Sequence, residues 1–142
     1  MPESRDDLLW EAYRTTRFEV DAPTGVLCIR IGRSHPDLDA LVLPLGAANW
    51  CYITAWNPGS APLSPEENEA RHRVLRKELE AAGHPLFEGR GRGADPRWEP
   101  EESLLVLGVP RQSAIALGRK AGQNAVVWGE VGGQAELLDC RE

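Results

Sequence analysis

Short apolar runs of strand-like period alternate along this chain with two longer stretches of helical period. The run Trp50 to Trp56 sets Trp50, Tyr52, Thr54 and Trp56 on one side and Cys51, Ile53 and Ala55 on the other. Neither side is charged, so this strand is expected to be covered on both faces. Asn57-Pro58-Gly59-Ser60 stops it, because proline cannot donate to a ladder and glycine relaxes the turn. Ser64-Pro65-Glu66-Glu67 is then a capping box with proline at the first helical position. The helix it opens is predicted to run to about Ala82 and stop at Gly83. With Leu75 and Leu79 set inward at about 100° per residue, Asn68, Arg71 and His72 fall on that same face. The inner face is therefore apolar at one end and polar at its start.

The remaining elements follow from the same patterns. Ser4 to Tyr13 reads as a helix that Ser4 caps, with Asp6 and Asp7 at its positive end. Thr15 to Val20 and Val26 to Ile31 form a hairpin around the turn Asp21 to Gly25, and Pro36 to Leu45 a helix that Gly46 stops. Pro85 to Gly93 is an irregular strand, weakened by its glycines, and Asp95 to Pro100 a loop. Leu104 to Val109 and Ala125 to Trp128 are unbroken buried strands. Between them Pro110 starts a helix in which Ala114, Leu117, Gly118 and Ala121 share a face of small residues. Gly132-Gly133 turns into a last strand, Ala135 to Cys140.

From Trp50 onward the order is strand, helix, strand, strand, helix, strand. This predicts an α+β fold with a ferredoxin-like split βαβ core, an N-terminal helix and hairpin, and a C-terminal extra strand. Right-handed crossovers put both core helices on one face of an antiparallel sheet. The hairpin and the last strand either extend that sheet or cover its other face. No repeat or linker interrupts residues 1–142, so one domain is expected.

Composition narrows the classes. At 142 residues the chain is long enough for one proper core. No apolar run approaches the roughly 20 residues that cross a bilayer. The acidic, polar start Met1 to Asp7 is unlike a secretory signal. Three scattered cysteines, Cys28, Cys51 and Cys140, fit neither a disulfide framework nor a zinc knuckle, and point to a reducing cytoplasm. A net charge of −6 argues against coating nucleic acid. It leaves room for local basic pockets around Arg71, Arg73, Arg76 and Lys77, or around Arg90, Arg92 and Arg97.

Tyr13-Arg14-Thr15-Thr16, Ile53-Thr54-Ala55-Trp56-Asn57-Pro58, Glu67-Asn68 with Arg71, Trp98 with Glu101-Glu102-Ser103, Gly108, and Gly122-Gln123-Asn124-Ala125-Val126-Val127-Trp128 stand out as a set of segments. Together they resemble the bacterial domain of unknown function 3293 family. The resemblance spans nearly the whole chain. It implies an intact single domain, usually bacterial and cytoplasmic, and names no activity.

The chemistry centres on the end of the Trp50 strand. Thr54 and Asn57 stand where exposed polar groups often meet ligands, although Asn before Pro is equally a turn starter. Asn68 and Arg71, beside a positive helix end, are suited to holding an anion, or else to satisfying loop carbonyls. Glu67 is accounted for by capping. Glu101 and Glu102 precede a buried strand, where one carboxylate desolvated by its surroundings would be a candidate acid or base. Gly89 to Gly93, with Arg90 and Arg92, lacks both the Walker ending and the dinucleotide fingerprint. His35, His72 and His84 have no metal-ligand spacing, and no nucleophile elbow or cofactor motif occurs.

The first expectation is a protein that binds a small polar or anionic metabolite, or a nucleotide, through Thr54, Trp56, Asn57, Asn68 and Arg71, with Gln123 further off. It needs no metal and no cofactor. A second is an enzyme with Glu67 or Glu102 as general base and Asn57 as oxyanion donor. A third is an interaction module whose tryptophans are core or partner surface. An edge strand of the hairpin would suit a homodimer, although nothing in the sequence requires one.

Overall fold

A computed structural model describes residues 5–141. In chain order the elements are α1 (Arg5–Thr15), β1 (Arg17–Ala22), β2 (Gly25–Ile29), α2 (Pro36–Val42), β3 (Asn49–Thr54), α3 (Pro65–Ala81), β4 (Leu86–Arg92), β5 (Glu101–Leu107), α4 (Arg111–Lys120), β6 (Ala125–Glu130) and β7 (Glu136–Asp139), with 3-10 turns at Leu43–Leu45 and Pro58–Ser60. The class is mixed α+β, and none of the described helices is long and apolar enough to cross a membrane.

The strands form one sheet in the order β2-β1-β4-β5-β3-β6-β7. Every pairing is antiparallel. The hairpin extends the sheet, because β1 pairs with β4, and β7 extends the opposite edge beside β6. β3 lies between β5 and β6, so both of its edges are occupied. Its alternation sorts as the sequence predicts. Cys51, Ile53 and Ala55 enter a core with Leu75 and Leu79 of α3 and Ala114 of α4. Trp50 and Tyr52 enter a second core with Val20, Ile29, Leu38 and Val42. β5 has no polar alternation from Leu104 on for the same reason. Leu104 and Val106 face the first core and Leu105 and Leu107 the second, all fully buried. Burying each such side chain contributes roughly 1.5–3 kcal/mol.

The sheet is curled. The segment leaving β2 crosses to the opposite edge, where the Gly32 N–H donates to the Ala135 carbonyl at 2.8 Å and the Ala135 N–H to the Arg33 carbonyl at 2.9 Å. Ser34 bridges Gln134 there. The second core is thus the inside of the curl, into which α2 inserts Leu38 and Val42. α3 and α4 cover the outside.

Element ends differ from expectation for local reasons. α1 runs on to Thr15, and the Thr15 and Thr16 hydroxyls donate back to carbonyls of Glu11 and Ala12, so β1 starts only at Arg17. The proposed cap Ser4 lies outside the described residues. The helix predicted to Leu45 changes to a 3-10 turn at Leu43, since Pro44 has no N–H to give an α-helical bond. Gly46 does close it, at φ 80°.

α4 packs on β6 through its small face, and Gly118 is the closest approach. A Cβ there would overlap Cys140 Sγ and lie 2.9 Å from Val126 Cγ1. Helix propensity alone favours Gly118→Ala by about 0.5–1 kcal/mol. Overpacking costs typically about 1–3 kcal/mol, so packing should win. Urea unfolding of Gly118→Ala is expected to show a net loss of stability, and a gain would mean that α4 lifts freely from the sheet.

Candidate functional site

A strand buried on both faces and paired on both edges cannot simply stop. The backbone that follows must find partners away from water. The chain past Thr54 finds them in side chains. The Thr54 hydroxyl donates to the Glu102 carbonyl at 2.7 Å and accepts from the Trp56 N–H at 3.0 Å. Asn57 adopts a left-handed backbone, φ 43°, which asparagine tolerates better than most residues. Its N–H donates to Asn68 Oδ1 at 2.9 Å, and Asn68 Nδ2 donates to Asn57 Oδ1 at 2.8 Å. The same Asn57 oxygen accepts from the Leu63 N–H at 3.0 Å. Asn68 is only 2% exposed. The two amides therefore form a closed reciprocal pair.

α3 presents Asn68 because its start is fixed. Pro65 opens the helix, and the Glu67 N–H donates to Ser64 Oγ at 3.2 Å. The Glu67 carboxylate accepts from that hydroxyl at 3.0 Å, so it stays at the helix end. One turn beyond Asn68, Arg71 reaches the ends of two elements, β3 and α4, at once. Its Nε donates to the Ala55 carbonyl at 3.2 Å and its Nη2 to the Ala121 carbonyl at 3.0 Å. Ala121 ends α4, where carbonyls carry the negative end of the helix dipole. Gln123 Nε2 donates to the Trp56 carbonyl at 3.1 Å, and the Gly59 N–H to the Gly122 carbonyl at 2.7 Å. Thr54, Asn57, Asn68, Arg71 and Gln123 are thus brought together, and Trp56 joins them through its backbone.

Arg71 also lines a groove of about 230 Å³ between α3 and α4. Ala55, Leu75 and Leu117 give it an apolar floor, and Lys120 and Glu78 pair across it at 3.3 Å. Arg71 Nη1 has no protein hydrogen-bond partner among the described residues. The Trp56 ring does not line this groove.

The carboxylate beside Asn57 is neither Glu67 nor Glu102. It is Glu101, whose Oε2 accepts from Asn57 Nδ2 at 3.3 Å. Glu101 is in phase with Ser103, Leu105 and Leu107, the inward side of the curl, whereas Glu102 shares the phase of Leu104 and is exposed. Counting back by two from the aliphatic run would have separated them. Burial pushes the Glu101 carboxyl above the ordinary range, opposed by the Asn57 amide. Tyr13 of α1 lies close by; burial pushes its hydroxyl up, the Asn124 amide opposes the rise and the Glu101 charge adds to it. In the chain alone Tyr13 stands out only within the segment Tyr13-Arg14-Thr15-Thr16, and Lys120 belongs to no motif.

Four arginines of the other basic stretches are paired. Arg90 meets Glu19 and Asp21, Arg92 meets Glu19, and Arg97 meets Asp95. His72 and Arg76 both meet Glu88. Among the described residues no three His, Cys, Asp or Glu side chains gather to hold a metal ion.

A family model described as "Protein of unknown function (DUF3293)" matches residues 53–126, which run from the exit of β3 to the start of β6 and contain the whole junction except Tyr13. No curated protein and no solved structure gives a match.

Removing Asn68 strands the Asn57 N–H and part of its carbonyl demand in a buried place. Asn68→Ala is expected to cost about 1–3 kcal/mol in chemical denaturation. Asn68→Asp should also lose stability, because it sets a carboxylate oxygen against Asn57 Oδ1. Losses no larger than those of a surface substitution would remove the amide pair from this role.

Proposed function

The chain belongs to the DUF3293 family, whose description carries no activity, and from the chemistry of its junction we propose that it binds a small polar or anionic metabolite, or a nucleotide, in the groove between α3 and α4. One observation carries this reading. Arg71 is fixed by two carbonyls and still has a guanidinium nitrogen unspent beside an apolar floor. A cation held in place before binding loses little entropy when an anion arrives, and a guanidinium suits carboxylate or phosphate geometry. Lys120, at the rim, exchanges Glu78 for the ligand. Thr54, Trp56, Asn57, Asn68 and Gln123 act by holding the exit turn and hence Arg71.

The wider assignment rests on further observations. The order β4-β5-β3-β6, with α3 and α4 over one face, supports a ferredoxin-like core. Free thiols at Cys28, Cys51 and Cys140 support a cytoplasmic setting. The edge position of β2 in the sheet, where it would have to be free of the seam, is what supports the homodimer reading.

A second reading is favoured by Glu101. A half-buried carboxyl raised above its usual range, with Asn57 beside it, suits general acid–base work better than Glu67 or Glu102. A raised carboxyl binds more protons folded than unfolded. Stability should therefore fall as pH rises from the ordinary carboxylate range through the folded value, and stay lower above it. Glu101→Gln should be more stable than the wild type at neutral pH and lack that slope in urea unfolding. An unchanged slope in the variant would assign the titration to another group.

Thermal shift with a panel of nucleotides and organic acids tests the first reading. A ligand at a hundredfold excess over Kd stabilises by about 2.7 kcal/mol, on the order of 5–10 °C in Tm at this size. Lys120→Met should lose most of the shift while keeping the wild-type Tm without ligand, and Arg71→Ala should lose all of it. No shift in the wild type, or an undiminished shift in both variants, rejects the groove.

A further inference from the structure

The two edge strands of the sheet meet through a seam that contains one histidine. His35 follows the crossing segment and directly precedes α2. Its Nε2 accepts the Arg30 N–H at 3.0 Å, which requires a lone pair on that nitrogen and hence the neutral ring protonated at Nδ1. His35 is 9% exposed. Between Arg30 and His35 lie both backbone bonds that join the edges, Gly32 to Ala135 and Ala135 to Arg33, as well as the Ser34–Gln134 bridge. After it comes α2, whose Leu38 and Val42 fill the inside of the curl. Beyond the seam the edges stand apart around a cleft of about 370 Å³ lined by Trp10, Arg14, Ile31, Leu137 and Asp139.

We propose that His35 is a proton-operated latch: the neutral ring holds the β2 and β7 edges together, and protonation unfastens them and opens the curl beside the Trp10 cleft. A second proton on the ring turns the Nε2 acceptor into a donor facing the Arg30 N–H, so the bond that shapes the crossing segment is lost. Asp37 and Asp39 of α2 face the ring and favour the charged form, whereas Arg33 opposes it, and burial opposes it most. Asp39 is engaged besides with the Gly132 N–H at 3.1 Å. Gln134 and Ala135, which meet the seam from the β7 side, carry no charge. The net effect lowers the His35 pKa in the closed form. The closed state thus binds fewer protons than the open one, and opening becomes more favourable as pH falls. In the window between the lowered value and the ordinary histidine value the opening constant rises about tenfold per pH unit. A released seam frees two backbone bonds and the apolar surface behind them, and leaves the central strands paired.

Amide exchange at pH 7.5 and 5.5, corrected for intrinsic rates, reads this on the full chain. The Gly32 and Ala135 amides should lose protection by about tenfold per pH unit within that window, and the amides of β5 should not. Binding of the dye 1-anilinonaphthalene-8-sulfonate should rise from pH 7.5 to 5.5 in the wild type and not in His35→Gln, and an equal rise in both overturns the latch. His35→Gln, which offers an acceptor near the Nε2 position and does not titrate, should stay closed at both pH values. Flat protection in the wild type, an equal loss in His35→Gln, or a loss shared by β5 overturns the latch. Should His35→Gln fail to fold, nitrogen chemical shifts of the wild-type imidazole decide. A protonation midpoint coincident with seam opening supports the latch, and a ring still neutral when the seam opens excludes it.

Discussion

Ending a strand costs most where water reaches its backbone poorly, and β3 ends at such a half-buried junction, with Ile53 and Ala55 buried and Thr54, Trp56 and Asn57 half-buried. Each backbone group left without a partner there would cost about 1–3 kcal/mol. The exit from β3 meets that demand with Thr54, Asn57, Asn68, Arg71 and Gln123, drawn from the strand end, the first two turns of α3 and the segment after α4. The same bonds that satisfy the exit turn fix α3 at one end of the outer core and hold the carboxyl end of α4 against it. Asn68 and Arg71 occupy the polar end of an otherwise apolar helix face for that reason, and the groove between the helices is a by-product of the distance Arg71 has to span.

Much of this was legible in the chain. Strict alternation in β3 without charge means two covered faces. The Ser64 capping box sets the phase of α3, and the phase delivers Asn68 and Arg71 inward. The small face of α4 means close packing, as Gly118 against Cys140 bears out. What the chain does not spell out is which partners those side chains take. Arg71 binds the carbonyls of Ala55 and Ala121, and carbonyls are the same at every residue. The seam between Arg33 and Ala135 is backbone on both sides, about a hundred positions apart, with no side-chain signature. The choice of Glu101 over Glu102 was within reach, but it needed the inward side of the curl to be known.

Charge has a similar logic. Along β1 and β4 the register sets Glu19 opposite Arg90, and the arginines of the glycine-rich strand are spent on carboxylates of the neighbouring hairpin. A stretch that suggests phosphate binding when read alone becomes a cross-strand ladder once its neighbour is known. Two cationic groups, Arg71 and Lys120, border the same cavity.

The strand order also has a consequence during synthesis. β3 pairs with β5 and β6, and β1 pairs with β4, so of the ladders in this sheet only the β1–β2 hairpin has both its members before residue 86. As the chain leaves the ribosome, the segment carrying Trp50, Cys51, Tyr52 and Ile53 emerges well ahead of every strand that will cover its edges. Such apolar, uncovered edges invite association with other chains, and that exposure lasts until residues 101–130 arrive and enclose β3 from both sides.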